Sequence, residues 1–445
     1  MILRYGIAAL RKLRSQRRTG YTTVYMNTET TYFPTIQSVR QAAERLAHVV
    51  KKTELSLNRT ASEVYGANIH FKREDLQQVR SYKIRGAYNK MATLNPEELG
   101  RGVVCASAGN HAQGVALACN KMQVRGTIFM PTPTPGQKLE QVKMFGGDYA
   151  QVVLAGDTFD EAKDAAQRYC TEQGAVFIHP FDDPYIIEGQ ATIGLEILEQ
   201  LHDHIDYVFV PIGGGGLAAG LSSVFRELSP DTKIIGVEPA GAPSMKKALE
   251  AGEAVHLDRI NKFVDGAAVQ KVGSYTFDIC RHTLSDMLLV EEGRICQVIL
   301  SMYNKDAIVA EPAGALSVAA LEQYKDQIKG KNVVCIISGS NNDITRMEEI
   351  KEAALLYAGL KHYFIVKFPQ RPGALREFVM NVLSPTDDIT HFEYTKKNSK
   401  EKGTAVVGIE LKQAADFDML LSNMKERGFY VDYLNNQYHL LNLLV

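Results

Sequence analysis

The chain has 445 residues, too many for one small domain, and its length suggests two or three. Its 50 Lys and Arg against 51 Asp and Glu exclude the one-signed field that a nucleic-acid or anionic-membrane partner needs. No run approaches the roughly 18 apolar residues of a membrane span, and the six cysteines, without CxxC pairing, read as free thiols of a reducing, cytoplasmic compartment.

Residues 1–25 carry Arg4, Arg11, Lys12, Arg14, Arg17 and Arg18 and no acid. That composition fits an organellar transit peptide, which would place the protein in an organelle matrix. It fits equally a disordered basic arm over 1–30, or a start assigned ahead of a true initiator at Met26. From 31 to 350, short apolar runs (ANIHF, GVVCAS, GTIFMP, AQVVLAG, AVFIHP, YVFVPIG, KIIGVE, NVVCIIS) alternate with longer amphipathic segments. The alternation predicts an α/β fold with mostly parallel sheet in two lobes, its site at the carboxyl ends of the strands. The helical RMEEIKEAALLYAG follows, with a boundary near Gly359. Residues 360–445 then read β-α-β-β-α-β, with NSKEKG as the central turn: a ferredoxin-like α+β module.

Four segments could carry chemistry. In SYKIRGA, Ile84, Ala87, Tyr88 and Met91 recur at helical spacing, which predicts a helix over 81–94 with Ser81 as N-cap. Lys83 then sits in a first turn, where the helix dipole and the like charges of Arg80 and Arg85 would favour a neutral, nucleophilic amine. SAGNHAQG, following the strand GVVCA, is a turn whose exposed amides suit a carboxylate or phosphate, with Asn110 and His111 beside it. GGGGL, residues 213–217, lets backbone amides approach an anion at a helix start. It also imitates a dinucleotide fingerprint, with Glu238 in the place of a ribose-binding acid. A phosphate cradle without a nucleotide is the simpler account. SGSNND places Ser338 at a strand end, where a hydroxyl can meet a heterocycle nitrogen without fixing a charge on it.

In that order and spacing the four segments resemble the pyridoxal-phosphate enzymes of the tryptophan-synthase-like fold (fold type II), and most closely the threonine dehydratases. The resemblance implies pyridoxal 5'-phosphate held by Lys83 as a Schiff base, with Tyr82 in place of the usual Phe. It implies Asn110 at the cofactor's 3'-oxygen, Gly213, Gly214, Gly215, Gly216 and Leu217 around its phosphate, and Ser338 at its ring nitrogen. The turn Ser107, Ala108, Gly109, Asn110 and His111 would clamp the substrate carboxylate. The implied reaction is deamination of L-threonine to 2-oxobutanoate, the entry to isoleucine synthesis, and of L-serine more slowly, with Lys83 moving the α-proton. Racemases and other β-eliminating enzymes share the fold, as would a non-catalytic amino-acid sensor that kept it. Racemases carry a serine where this chain has Ala108, which disfavours racemisation, and an acid where it has Ser244, six residues after Glu238, so no metal is expected. The tail resembles the ACT-like regulatory domains of biosynthetic threonine dehydratases. Arg371, Pro372 and Gly373 begin its effector turn, for isoleucine and perhaps an opposing valine. A single such module implies a homo-oligomer, dimer or tetramer.

Overall fold

The computed structural model describes residues 32–395 and 402–444, so the expectations for the basic leader, Met26 and most of the NSKEKG turn fall outside the described residues. The strands β1 (Leu55–Leu57) and β2 (Asn68–Arg73) begin one sheet, and the chain then leaves it. It builds a second, wholly parallel sheet from β3 (Val103–Ala106), β4 (Gly126–Met130), β5 (Ala150–Leu154) and β6 (Val176–Phe177), in the order β5-β4-β3-β6. It returns with β7 (Tyr207–Pro211), β8 (Lys233–Pro239), β9 (Asp286–Val290) and β10 (Asn332–Ile337). The completed larger sheet has the order β1-β2-β10-β7-β8-β9, parallel except for the β1–β2 edge.

The near-continuous apolar runs are what a parallel sheet covered on both faces requires. Side-chain alternation divides the larger sheet between two cores: Phe209, Ile235 and Cys335 enter one, while Val208, Val210 and Val334 enter the other. Two strands escape the sequence pattern. β1 is only three residues long, and DMLLV (β9) follows the helix Ser274–Thr283 so closely that its apolar run reads as more helix.

The helix Met347–Tyr357 leads to an antiparallel sheet of β11 (Lys361–Pro369), β12 (Asp388–Thr395), β13 (Lys402–Glu410) and β14 (Tyr430–Tyr433), ordered β12-β13-β11-β14. With the helices Ala374–Asn381 and Phe417–Glu426 this is the expected β-α-β-β-α-β order. Phe364, Val366, Phe378, Val407 and Met424 form its own core. A further helix, Tyr438–Leu444, lies beyond the predicted pattern. No helix among the described residues is long and apolar enough to cross a membrane.

Candidate active site

Lys83 is the first residue of the helix Lys83–Ala92. Ser81 is not its cap, contrary to the sequence expectation. Tyr82, in helical conformation, holds the N-cap position without a side-chain bond, while Ser81 forms an isolated bridge with Gly339 just past β10. That pairing keeps Ser81 out of the helix and leaves its buried hydroxyl without a partner among the described residues. The helix ends at Ala92, two residues short of the predicted 94.

The Lys83 Nζ donates to the Pro180 carbonyl at 2.9 Å and lies 5.3 Å from the centre of the Tyr82 ring. Burial lowers its pKa to about 8, against the opposing pull of the Glu311 carboxylate. Repulsion by arginines, the expected cause, is not the reason. Arg85 is fully buried, and its guanidinium grips both oxygens of Glu74 at 2.8 Å and those of Glu196 at 2.7 and 3.0 Å. Lys72 completes the cluster, donating to Glu196 at 2.6 Å and to the Thr53 carbonyl at 2.8 Å. Two cations and two carboxylates cancel within this cluster, so burial is the largest influence on Lys83, which does stand at the helix start as expected.

Tyr82, Lys83, Asn110, Pro211, Gly213, Gly266, Ala267, Glu311, Ala313 and Ser338 line one cavity. It lies at the carboxyl ends of β7 and β10, as open α/β sheets place their ligands. Of the residues singled out in the sequence, Lys83, Asn110, Gly213 and Ser338 meet here. Arg371, Pro372 and Gly373 lie elsewhere, in the turn between β11 and the helix Ala374–Asn381, where Gly373 takes a φ of +86° and Arg371 pairs with Glu377.

The glycine turn tests whether a phosphate fits. No backbone or side-chain acceptor among the described residues meets the amides of Gly213 through Leu217, although Gly214 through Leu217 are buried at the start of the helix Gly216–Leu228. Buried unpaired amides at a helix N-terminus call for an anion. A phosphate monoester would fit that need. Packing contributes more to the glycines than the sequence suggested: a Cβ on Gly214 would stand 2.2 Å from the Phe181 ring, and Gly215 has a φ of +93°. The dinucleotide reading fails on Glu238. Its buried carboxylate accepts from the amides of Met245 (2.7 Å) and Lys246 (3.0 Å), capping the helix Ser244–Ala251, and burial pushes it up to about 8. No cluster of three or more His, Cys, Asp or Glu suited to a metal occurs among the described residues.

The SAGNH turn is only partly free. The Ser107 amide belongs to the small sheet, donating to Phe129 at 3.1 Å, and Gly109 donates to the Ser107 hydroxyl at 3.3 Å. The amides of Ala108, Asn110 and His111 are the ones this turn leaves without an acceptor among the described residues. The buried His111 ring donates from Nε2 to the Ile178 carbonyl at 2.9 Å, and burial drops it to about 3, so it is neutral. Asn110 Nδ2 donates to Glu311 Oε1 at 2.6 Å.

Glu311 is the group that sequence reasoning missed. It precedes the wholly buried helix Pro312–Ala319, and desolvation raises its carboxyl to about 7. An acid directly before an all-apolar segment cannot reach solvent easily, and that signal in AEPAGALSVA was available.

Comparison with known proteins agrees with this geometry. Residues 46–339 match the family of pyridoxal-phosphate dependent enzymes, and residues 352–444 match the C-terminal regulatory domain of threonine dehydratase. The biosynthetic L-threonine dehydratase of Halalkalibacterium halodurans is 53% identical over 410 residues, spanning 92% of this chain and 99% of the relative. That of Bacillus subtilis is 52% identical, spanning 92% and 97%. Among solved structures, the processed threonine deaminase isoform 2 of Solanum lycopersicum is 42% identical with a TM-score of 0.68, over 72% of this chain and 95% of that one. Maize serine racemase is 31% identical with a TM-score of 0.68, over 73% and 99%. The regulatory-domain match over residues 352–444 and the identity of about half to these dehydratases along nearly their whole length decide the assignment, and the chain belongs to the threonine dehydratase family of pyridoxal-phosphate-dependent enzymes.

Proposed function

We propose that the protein deaminates L-threonine to 2-oxobutanoate and ammonia, and L-serine to pyruvate more slowly, with pyridoxal 5'-phosphate attached to Lys83. The observation that carries this reading is the Lys83 amine, buried beside an anion-seeking glycine turn and held near neutrality. When bound, pyridoxal phosphate supplies an electron sink that acidifies the substrate's α-carbon. The chain supplies the rest. Amides of Gly213 to Leu217 hold the phosphate, and those of Ala108, Asn110 and His111 hold the substrate carboxylate. Lys83 Nζ, as a neutral amine, would take the α-proton. The Pro180 carbonyl, already accepting its N–H, orients the amine. Ser338, an alcohol at the cavity wall, would face the ring nitrogen without fixing a charge there, which would favour loss of the β-hydroxyl. Ala108 has no proton to deliver from the opposite face, so the product leaves by elimination and not by inversion.

The reading extends to the tail: isoleucine would inhibit through the turn at Arg371, Pro372 and Gly373, with valine opposing it. It includes a cytoplasmic homo-oligomer, in keeping with bacterial relatives and a single regulatory module. Borohydride trapping followed by peptide mapping tests the core of the proposal. The pyridoxyl group is expected on Lys83, and finding it elsewhere or nowhere would sink the mechanism. A 2-oxobutanoate assay with and without isoleucine tests the tail. An unaltered rate would remove the effector assignment and leave the lyase standing.

A further inference from the structure

In the SGSNND segment the sequence reading gives a role to Ser338 alone, yet Asn341 also reaches the site. Its Nδ2 donates to the Val79 carbonyl at 2.9 Å and to Asn110 Oδ1 at 2.7 Å, and its backbone N–H donates to Glu311 Oε2 at 3.2 Å. Asn110 Nδ2 in turn donates to Glu311 Oε1 at 2.6 Å. The direction of this chain is forced from its far end. A backbone carbonyl can only accept, so the Asn341 atom that faces Val79 must be its nitrogen. The same nitrogen faces Asn110, whose nearer atom must then be oxygen. What remains to Asn110, on the side of the cavity it lines, is its NH2 group. The two ends of a carboxamide are nearly equal in shape, and packing alone cannot choose between them. Asn341 Oδ1, by contrast, is buried with no partner among the described residues. The side chain is held here for what it donates.

We propose that Asn341 is a positioning residue that acts through Asn110, fixing the Asn110 Nδ2–H as a donor toward the bound cofactor's oxygen. The inference rests on the reading that pyridoxal phosphate binds at Lys83. Glu311 Oε1 takes this donor in the structure described, and the backbone N–H of Asn341 holds Glu311 in place.

The test uses the full-length protein, stripped of cofactor and titrated with pyridoxal phosphate. Three quantities are read: the cofactor Kd, the pH midpoint of its bound visible band, and the thermal midpoint of the cofactor-free protein. Asn341→Ala is expected to raise Kd about five- to tenfold, the worth of one hydrogen bond. The pH midpoint should rise by about half a unit to one unit, because an oxygen that loses a donor holds its proton more tightly. Both shifts should vanish in an Asn110→Ala background, since the route runs through Asn110. A lowered thermal midpoint with neither shift, or the same shifts in both backgrounds, overturns the role. Should the alanine variant not fold, Asn341→Asp decides. Its carboxylate would accept from Asn110 Nδ2 and turn Oδ1 to the cavity, so Kd should rise at least as far, and parental values overturn the role. Parental protein that takes up no cofactor overturns the function and this role together; parental uptake with an unaltered variant overturns the role alone.

Discussion

At the scale of single residues, the proposed chemistry depends on one amine kept out of water. Burial sets the Lys83 pKa near 8, so the neutral fraction grows about tenfold per pH unit below that value and levels off above it. The rate at which the cofactor-free protein takes up pyridoxal phosphate should follow the same curve between pH 6 and 9, measured by growth of the visible band. A pH-independent rate would mean the amine is not the attacking group. Gly214→Ala is a second case, because its Cβ would stand 2.2 Å from the Phe181 ring. Relieving that overlap costs about 1–3 kcal/mol and deforms the anion turn, so cofactor retention on gel filtration should fall sharply. Lys83, Asn110, Gly213 and Ser338 were legible in the sequence because each stands in or beside a small-residue turn, most of them at a strand end. Asn341 was not, because an asparagine in a turn reads as an ordinary turn former, and Glu311 showed only in the apolar segment that follows it, since an acid before proline otherwise reads as an ordinary helix cap. Their roles depend on contacts with Asn110, 201 and 231 residues away along the chain.

At the scale of elements, the Lys83 helix is held by the Arg85 cluster, which joins it to β2 and to the helix Pro184–Gln200. Breaking a buried ion pair from one side strands its partner's charge. Arg85→Ala should therefore cost about 3–5 kcal/mol in denaturant unfolding. Arg85→Lys should recover little of this, since an ammonium cannot span two carboxylates as the planar fork does. Near-parental stability in either variant would show that the cluster merely coexists with the helix. Arg85 itself could not be placed from sequence. A charged residue between apolar ones looks like a solvated face until Glu74 and Glu196 are brought to it across the fold.

At the scale of the whole described region, one helix faces two ways. In Met347–Tyr357, Ile350 and Ala354 enter the core beneath the larger sheet, while Glu352 accepts from Lys361 Nζ and from the Tyr363 hydroxyl, both at 2.5 Å, on β11. Glu352→Gln should leave the isoleucine-free rate near parental and shift the half-inhibiting isoleucine concentration roughly threefold or more. An unshifted concentration would show that the signal does not pass this way. The alternation of strands and helices announced both lobes. It could not give the order of strands, which is set by where the chain turns back. That order carries a consequence for synthesis. β10 is the last strand of the larger sheet to leave the ribosome, yet it lies between β2 and β7, and Ser338 follows it directly. A nascent chain ending before Asn332 already has its lysine and its glycines but has a gap where the middle of the sheet belongs. It should take up no vitamin until more than three quarters of the message has been read.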